Sequence, residues 1–374
     1  MENRHTKSRG GPRFRGGDVI PVKAGIAPPS RHRWAKAPPT NLLFVCFSVL
    51  IPGCENPSPS LFSDAPAAKV TSVEQEALQV VQEALADVDA VARVNAIEVI
   101  GTTGRIELMP RVQPLLQDPV VPVRYAAALA VGDLQYAPAQ RSLFPMLKDP
   151  DSNVIIAASY AMGRLGATQY LEVIRKALES KDQEVRANSA FLLGKIGDRG
   201  ALRILKWAQE DKFSSDKVRF QAMEARARLG DEEVLQRLWA IVFSAFADDR
   251  VMGIRAMGAL GSRKARDIIV TKLDDPVLEV RLAAAEQLGM LGDTTGEPEV
   301  LEVFLKNLTA GTDRIAAERV NVLTALAIGH IGTPALTKYL PQLLKNESKF
   351  VRIAAAKAVF QSKMRRSDSK TGTL

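Results

Sequence analysis

A short phrase returns through most of this chain at a nearly fixed spacing, and a chain of that kind folds as one structural unit copied. In four copies it reads VRYAAALAVGDL, VRANSAFLLGKIGD, VRFQAMEARARLGD and EVRLAAAEQLGMLGD. With the Arg of Val-Arg as position zero, the anchors are Arg93, Arg124, Ile155, Arg186, Arg219, Arg250, Arg281, Asn321 and Arg352. They stand 31 residues apart, except for an interval of 33 before Arg219 and one of 40 before Asn321. Eight residues after the anchor, seven copies carry glycine: Gly101, Gly132, Gly163, Gly194, Gly258, Gly289 and Gly329.

The intermediate positions spell a helix. Position three is small in every copy, from Ala96 and Ala127 to Thr324 and Ala355, and position seven is a larger apolar residue in all copies but the fifth, where Arg226 interrupts the stripe. Such spacings of three and four make one apolar face, on which small residues let neighbouring helices approach and larger ones fill the gap. A local rearrangement is expected at Arg226. Upstream of each anchor lies a second amphipathic segment, such as LEVIRKALES from Leu171. Asp118-Pro119, Asp149-Pro150 and Asp275-Pro276 stand between the two segments as turns. Glycines at position eleven (Gly104, Gly166, Gly197, Gly230, Gly261, Gly292 and Gly332) mark helix ends. Each unit is therefore helix, turn, helix, stop, and it must stack on its neighbours to cover its apolar face.

Through its V-R-x-x-A-A-x-A-L-G-x-L-G phrases the chain resembles the HEAT family, in the short variety called PBS-lyase HEAT-like repeats. The resemblance implies an all-α fold, a right-handed α-solenoid (superhelix) of about nine helical hairpins, with the second helices lining a concave face. The expected layout is a basic extension and signal over residues 1–53, a flexible Pro/Ser/Ala linker over 54–71, the repeat body over 72–361 and a disordered polar tail over 362–374. The nine extra residues before Asn321, around Thr309 to Arg319, are expected to lengthen a loop or a first helix.

Charge and residue usage narrow the function. The net charge is +8, but nine Lys/Arg against two acids in the first 40 residues leave the remainder near +1. A body so balanced does not offer the concentrated basic groove that nucleic-acid binding needs, and no nucleic-acid partner is expected. With one histidine beyond residue 32, His330, and no His-Glu pair, the His-rich constellations of metal centres are out of reach, and no metal or other cofactor is expected.

Both cysteines, Cys46 and Cys54, lie near one apolar stretch, Leu42 to Ile51, which follows Arg31, Arg33 and Lys36. About ten apolar residues are too few to span a bilayer and suit a secretory signal. Leu50-Ile51-Pro52-Gly53-Cys54 resembles the lipobox of bacterial lipoproteins. That resemblance implies lipid on the Cys54 thiol, cleavage before it, and a membrane-anchored protein at the bacterial cell envelope, on the outer membrane or the periplasmic face. If the signal is not used, the location is cytoplasmic.

The register also isolates positions that do not serve packing. Position five is mostly charged, yet copies two to four carry Leu129, Tyr160 and Phe191 there, with Arg164, Lys195 and Arg228 at position nine of copies three to five. An apolar row edged by cations suits a peptide or protein partner; the same rings could instead cover the interior. The repeated Arg is expected to pair with a turn Asp or carbonyl of its own or the adjacent copy, His330 to lie at the surface, and Trp207 and Trp239 to be core. The leading expectation is a lipid-anchored, non-catalytic protein-binding scaffold. The alternative, by family analogy, is an enzyme of the PBS-lyase HEAT-like class, a bilin lyase or an oxidoreductase, and behind it stands a nucleic-acid-binding HEAT-like protein.

Overall fold

The computed structural model describes residues 72–371, with side chains to Met364. Cys54 and the boundaries at 53 and 71 lie outside the described residues. Within them the chain is helical throughout, with no strand, and forms nine hairpins in the register of the anchors. The second helices of hairpins 1 to 9 are Ala90–Thr102, Val121–Asp133, Ser152–Arg164, Gln183–Ile196, Asp216–Arg228, Ala247–Leu260, Leu278–Met290, Arg314–Ile331 and Lys349–Thr371. They are called inner helices 1 to 9 below.

The local sequence sets where each inner helix starts and stops. Asp89, Asp151, Asp182 and Ser215, each four residues before its anchor, are N-caps whose side chains accept from backbone N–H groups of the first turn. All seven glycines at position eleven have positive φ, from 65° to 101°, so each closes its helix in the left-handed conformation that glycine adopts without strain. Hairpin 2 has Gln135 there instead, at φ 47°.

The glycine at position eight explains why the phrase recurs. A Cβ on Gly194 would lie 2.7 Å from Ala225 Cα, and one on Gly329 would lie 2.8 Å from Ala358 Cα. At these two points the inner helices of successive hairpins touch backbone to backbone, which only a hydrogen side chain allows. The small residues at position three are buried in every copy.

The anchor arginines tie hairpins together. Arg93 grips Asp118 of the next turn with Nε and Nη2 at 3.0 and 2.9 Å, and Arg124 grips Asp149 at 2.9 and 3.0 Å. Arg186 and Arg250 reach Asp211 and Asp275 in the same sense, each 25 residues onward, and Arg281 reaches Glu299. Each turn Asp also accepts the N–H two residues on, which fixes the turn that presents it. Arg219 and Arg352 bond carbonyls of their own turns.

Three expectations change. The extra residues before Asn321 lengthen the loop after Leu305 and the second helix: inner helix 8 begins seven residues before its anchor, where the others begin three before, and Asp313 caps it. The first helix of that hairpin, Glu297–Leu305, is of ordinary length. At Arg226 the helix runs on undisturbed, because Asp231, Gln209 and Glu233 supply partners for a guanidinium in the buried stripe. Finally, inner helix 9 does not stop at 361 but continues to Thr371, so most of the expected tail is helical.

The array is the expected α-solenoid of nine helical hairpins, and its two ends meet. Inner helix 9 packs on the first helix of hairpin 1, Ser72–Leu85, and on inner helix 1, so the nine hairpins close a circuit. At this seam Glu74 accepts from Lys363 at 2.6 Å and from Arg105 at 3.1 Å, and Lys349 lies 3.0 and 3.1 Å from Asp87 and Asp89. Phe360, fully buried, occupies position eight of the last copy, where seven other copies have glycine, and Arg105 stacks 3.9 Å above its ring.

Candidate functional site

Because the circuit is closed, side chains at positions five and nine of the inner helices project into a shared interior. Tyr160, from inner helix 3, is only 1% exposed and packs with Leu129 and Phe191 against the core that hairpins 3 to 5 share. Its hydroxyl donates to Asp133 Oδ1 at 2.6 Å. Lys195 Nζ meets the same oxygen at 3.0 Å and lies 5.9 Å above the Tyr160 ring. Burial, followed by the charge of Asp133 and the hydrogen bond to it, pushes the Tyr160 hydroxyl well above its usual range. It is a fixed donor, not a proton shuttle.

The other cations of the row are also engaged. Arg228 pairs with Glu224 one turn earlier and stands 6.0 Å over the Phe191 ring, and Arg164 Nε donates to the carbonyl of Gly132 at 3.4 Å. The structure thus joins Tyr160 to Lys195 through Asp133, and Phe191 to Arg228. Asp133 escaped the sequence reading, although it holds position nine of hairpin 2, the same register slot that singled out Arg164 and Lys195.

The ionic wall continues around the circuit, with Arg255 on Glu286 at 3.4 Å and Lys357 on Glu98 at 3.1 Å. Glu98 keeps 21% of its side chain exposed, yet it sits deep among the inner helices, and burial pushes its carboxyl up despite the opposing charges of Lys357, Lys195 and Arg255. Tyr125 adds a buried hydroxyl with no hydrogen-bond partner among the described residues, raised by burial and by the charges of Glu184 and Asp133. Half-buried His330 pairs with Gln361 of the next inner helix at 3.3 Å.

The outer side of the array differs. Trp207 and Trp239, expected in the core, are 45% and 51% exposed. Their helices, Leu202–Glu210 and Leu235–Val242, are short, and Leu205 with Ala208 and Leu238 with Val242 already fill the buried face. The indoles are left outside. Trp239 lies 4.8 Å from Phe243, and Lys272 stands 3.5 Å over the Phe243 ring. Phe213 and Phe246 are exposed in the two turns that follow these helices. Over the outer helices Gln140–Met146, Leu171–Ala177, Leu202–Glu210, Leu235–Val242 and Arg263–Val270 there are nine Lys/Arg against three Asp/Glu.

Among the described residues no group of three or more His, Cys, Asp or Glu side chains is placed to hold a metal ion, and no helix is long and apolar enough to cross a membrane.

A family model described as HEAT repeats matches residues 77–163, 141–213, 171–244 and 241–324, which together span about two thirds of the chain. An uncharacterized phycocyanin operon protein Z of Pseudanabaena tenuis is 24% identical over 148 residues, 40% of this chain and 73% of that protein. Phycocyanobilin lyase subunit alpha of a Nostoc species is 32% identical over 112 residues, 29% of this chain and 40% of that protein. Among solved structures, human deoxyhypusine hydroxylase is similar at 18% identity and a TM-score of 0.34, covering 71% of this chain and 99% of the other. Kap121p is similar at 15% identity and a TM-score of 0.33, covering 83% and 40%.

Proposed function

The chain belongs to the HEAT repeat family, and on that footing we propose that it is a non-catalytic, protein-binding scaffold held at the bacterial cell envelope by lipid on Cys54. The observation that carries the binding half is the outer aromatic surface of hairpins 5 and 6: Trp207, Trp239, Phe243, Phe213 and Phe246 stand exposed on two adjacent units. Exposed Trp and Phe are the side chains that dominate protein interfaces, since each buries a large area for few rotatable bonds. The excess of cations on the surrounding outer helices suits an acidic partner surface. The inner row of Leu129, Tyr160 and Phe191 is spent on internal pairs in the closed circuit, which favours the outer surface as the docking face. The anchoring half rests on the Leu50–Cys54 motif and a Pro/Ser-rich linker that would hold the body off the membrane.

Replacing Trp239 and Phe243 together by Ser tests the first half. The expected result is an unchanged melting temperature with loss of the partner that a photo-crosslinker at position 207 captures in the parent protein; a lowered melting temperature with the crosslink intact would assign these rings to packing. Metabolic palmitate labelling beside Cys54→Ala, with membrane fractionation of both, tests the second half. Label and membrane pool should both depend on Cys54.

A second reading, bilin lyase activity, is favoured by the similarity to phycocyanobilin lyase subunit alpha. It predicts a visible-absorption change when the protein is mixed with phycocyanobilin, and the scaffold reading predicts none.

A further inference from the structure

The circuit has nine junctions, and one of them is built unlike the others. Eight lie between hairpins that the chain joins, so two such neighbours stay tethered within a turn's length of each other. The seam between hairpins 9 and 1 has no covalent link. Four of the joined junctions carry an Arg–Asp clamp from an anchor to the acid 25 residues on. At the seam the corresponding acid is Asp87, but Arg352 stays on the carbonyls of Asn346 and Glu347, and it is Lys349 that reaches Asp87 and Asp89. Lysine is a compact, strongly hydrated charge on a flexible stem and lacks the planar fork of arginine. Lys349 and Lys363 are 33% and 44% exposed, so salt reaches both. Position eight adds a third difference: Phe360 stands where glycine would bring two backbones together, so the contact there is side chain against helix.

We propose that the seam is a latch, the junction at which the circuit opens, with hairpins 1 and 9 parting as folded units while the other eight junctions stay closed. Opening requires the release of Lys349 from Asp87 and Asp89, of Lys363 from Glu74, of Arg105 from the Phe360 ring and of Lys357 from Glu98, together with the parting of the packed faces of Ser72–Leu85 and inner helix 9. Each of these contacts joins hairpin 1 or its exit turn to hairpin 9, whereas the Arg105–Glu74 pair lies wholly on the hairpin 1 side and need not break. The open form presents the interior wall, including Tyr160, Phe191 and Lys195, to any segment entering between the two ends. This holds whether or not the outer aromatic surface is the docking face.

Amide hydrogen exchange of the full chain, read by mass spectrometry, tests it. Lys349→Glu places an anion against Asp87 and Asp89, and is expected to speed exchange about tenfold in Ser72–Leu85 and in the first turns of inner helix 9, while Gln183–Ile196 and Asp216–Arg228 are unchanged. Lys349→Arg should leave the parent pattern. High salt should reproduce the Lys349→Glu pattern in the parent. Lys217→Glu, which breaks the exposed pair with Glu184 between hairpins 4 and 5, should not touch the seam. An equal rise across all hairpins would mean that the ends separate only by unfolding and would overturn the latch, as would a seam that Lys349→Glu and salt both leave as protected as inner helices 4 and 5.

Discussion

Gln135 occupies the slot that seven other hairpins give to glycine, and it does so at φ 47°, where a side chain costs about 1–2 kcal/mol. Glycine gives back part of that through its greater freedom in the unfolded chain. Gln135→Gly should therefore stabilise the protein by about 0.5–1 kcal/mol, seen as a higher midpoint in urea. A second single-residue effect concerns acid. Burial acts upward on the Asp149 carboxyl, but the hydrogen bonds from Arg124 and from the N–H of Asp151, with the Arg124 charge, outweigh it and hold the group below the usual carboxylate range. The native state then binds this proton less readily than the unfolded chain, so the stabilisation is full above the ordinary carboxylate range and is lost as pH falls through the native value. Arg124→Ala should cost about 1–3 kcal/mol near neutral pH, and the difference from the parent should shrink in acid, measured by thermal melts across pH. The arginines were legible as inter-unit ties because Asp-Pro turns recurred in step with them. Asp133 was not, since a lone acid in a helix carries no mark of the hydroxyl and ammonium it will meet.

At the level of the helix, position fixes the boundary more than composition does. Inner helix 4 starts at Gln183 because the Asp182 carboxylate takes the N–H groups of Glu184 and Val185, and it stops at Ile196 because Gly197 turns left-handed. Asp182→Ala should cost about 1 kcal/mol, with fraying confined to the first turn of that helix by hydrogen exchange. The second helices were readable from sequence for this reason: capping acid, anchor, small residue and two glycines all repeat. The first helices were less so. They are short and partly 3-10, as over Gln113–Gln117 and Thr271–Asp274, and apolar spacing over seven or eight residues does not say which face is inward. Trp207 and Trp239 were misplaced on that account. The added turn of inner helix 8 was equally hard to assign, because eight residues of loop and one helical turn look alike in a gap of forty.

For the whole molecule, the period gave the number of units but not the rotation from one to the next. That rotation depends on how closely Gly194 meets Ala225 and on what fills the gap where no glycine stands, as at Phe360. Such contacts are decided by tenths of an ångström. Hence a concave face lined by the second helices could be expected from the repeats, but not that the packing would close it into a circuit with an ionic interior. Closure carries a consequence for how such a chain can change over generations. An open solenoid tolerates gain or loss of a hairpin at either end or in the middle, since each unit answers only to its neighbours. Here unit count and per-unit rotation must multiply to one full revolution, so a duplication that would be harmless in a line becomes a mismatch in a circle. A variant with hairpin 4 duplicated should keep its helices by circular dichroism and yet leave the faces bearing Val81 and Phe360 unmatched. It should self-associate in sedimentation, where the parent has no free end to offer. Length drift is thus confined to places that leave the rotation alone: the spacing departs from 31 at the turn before Arg219, and before Asn321 at the loop and the added first turn of inner helix 8.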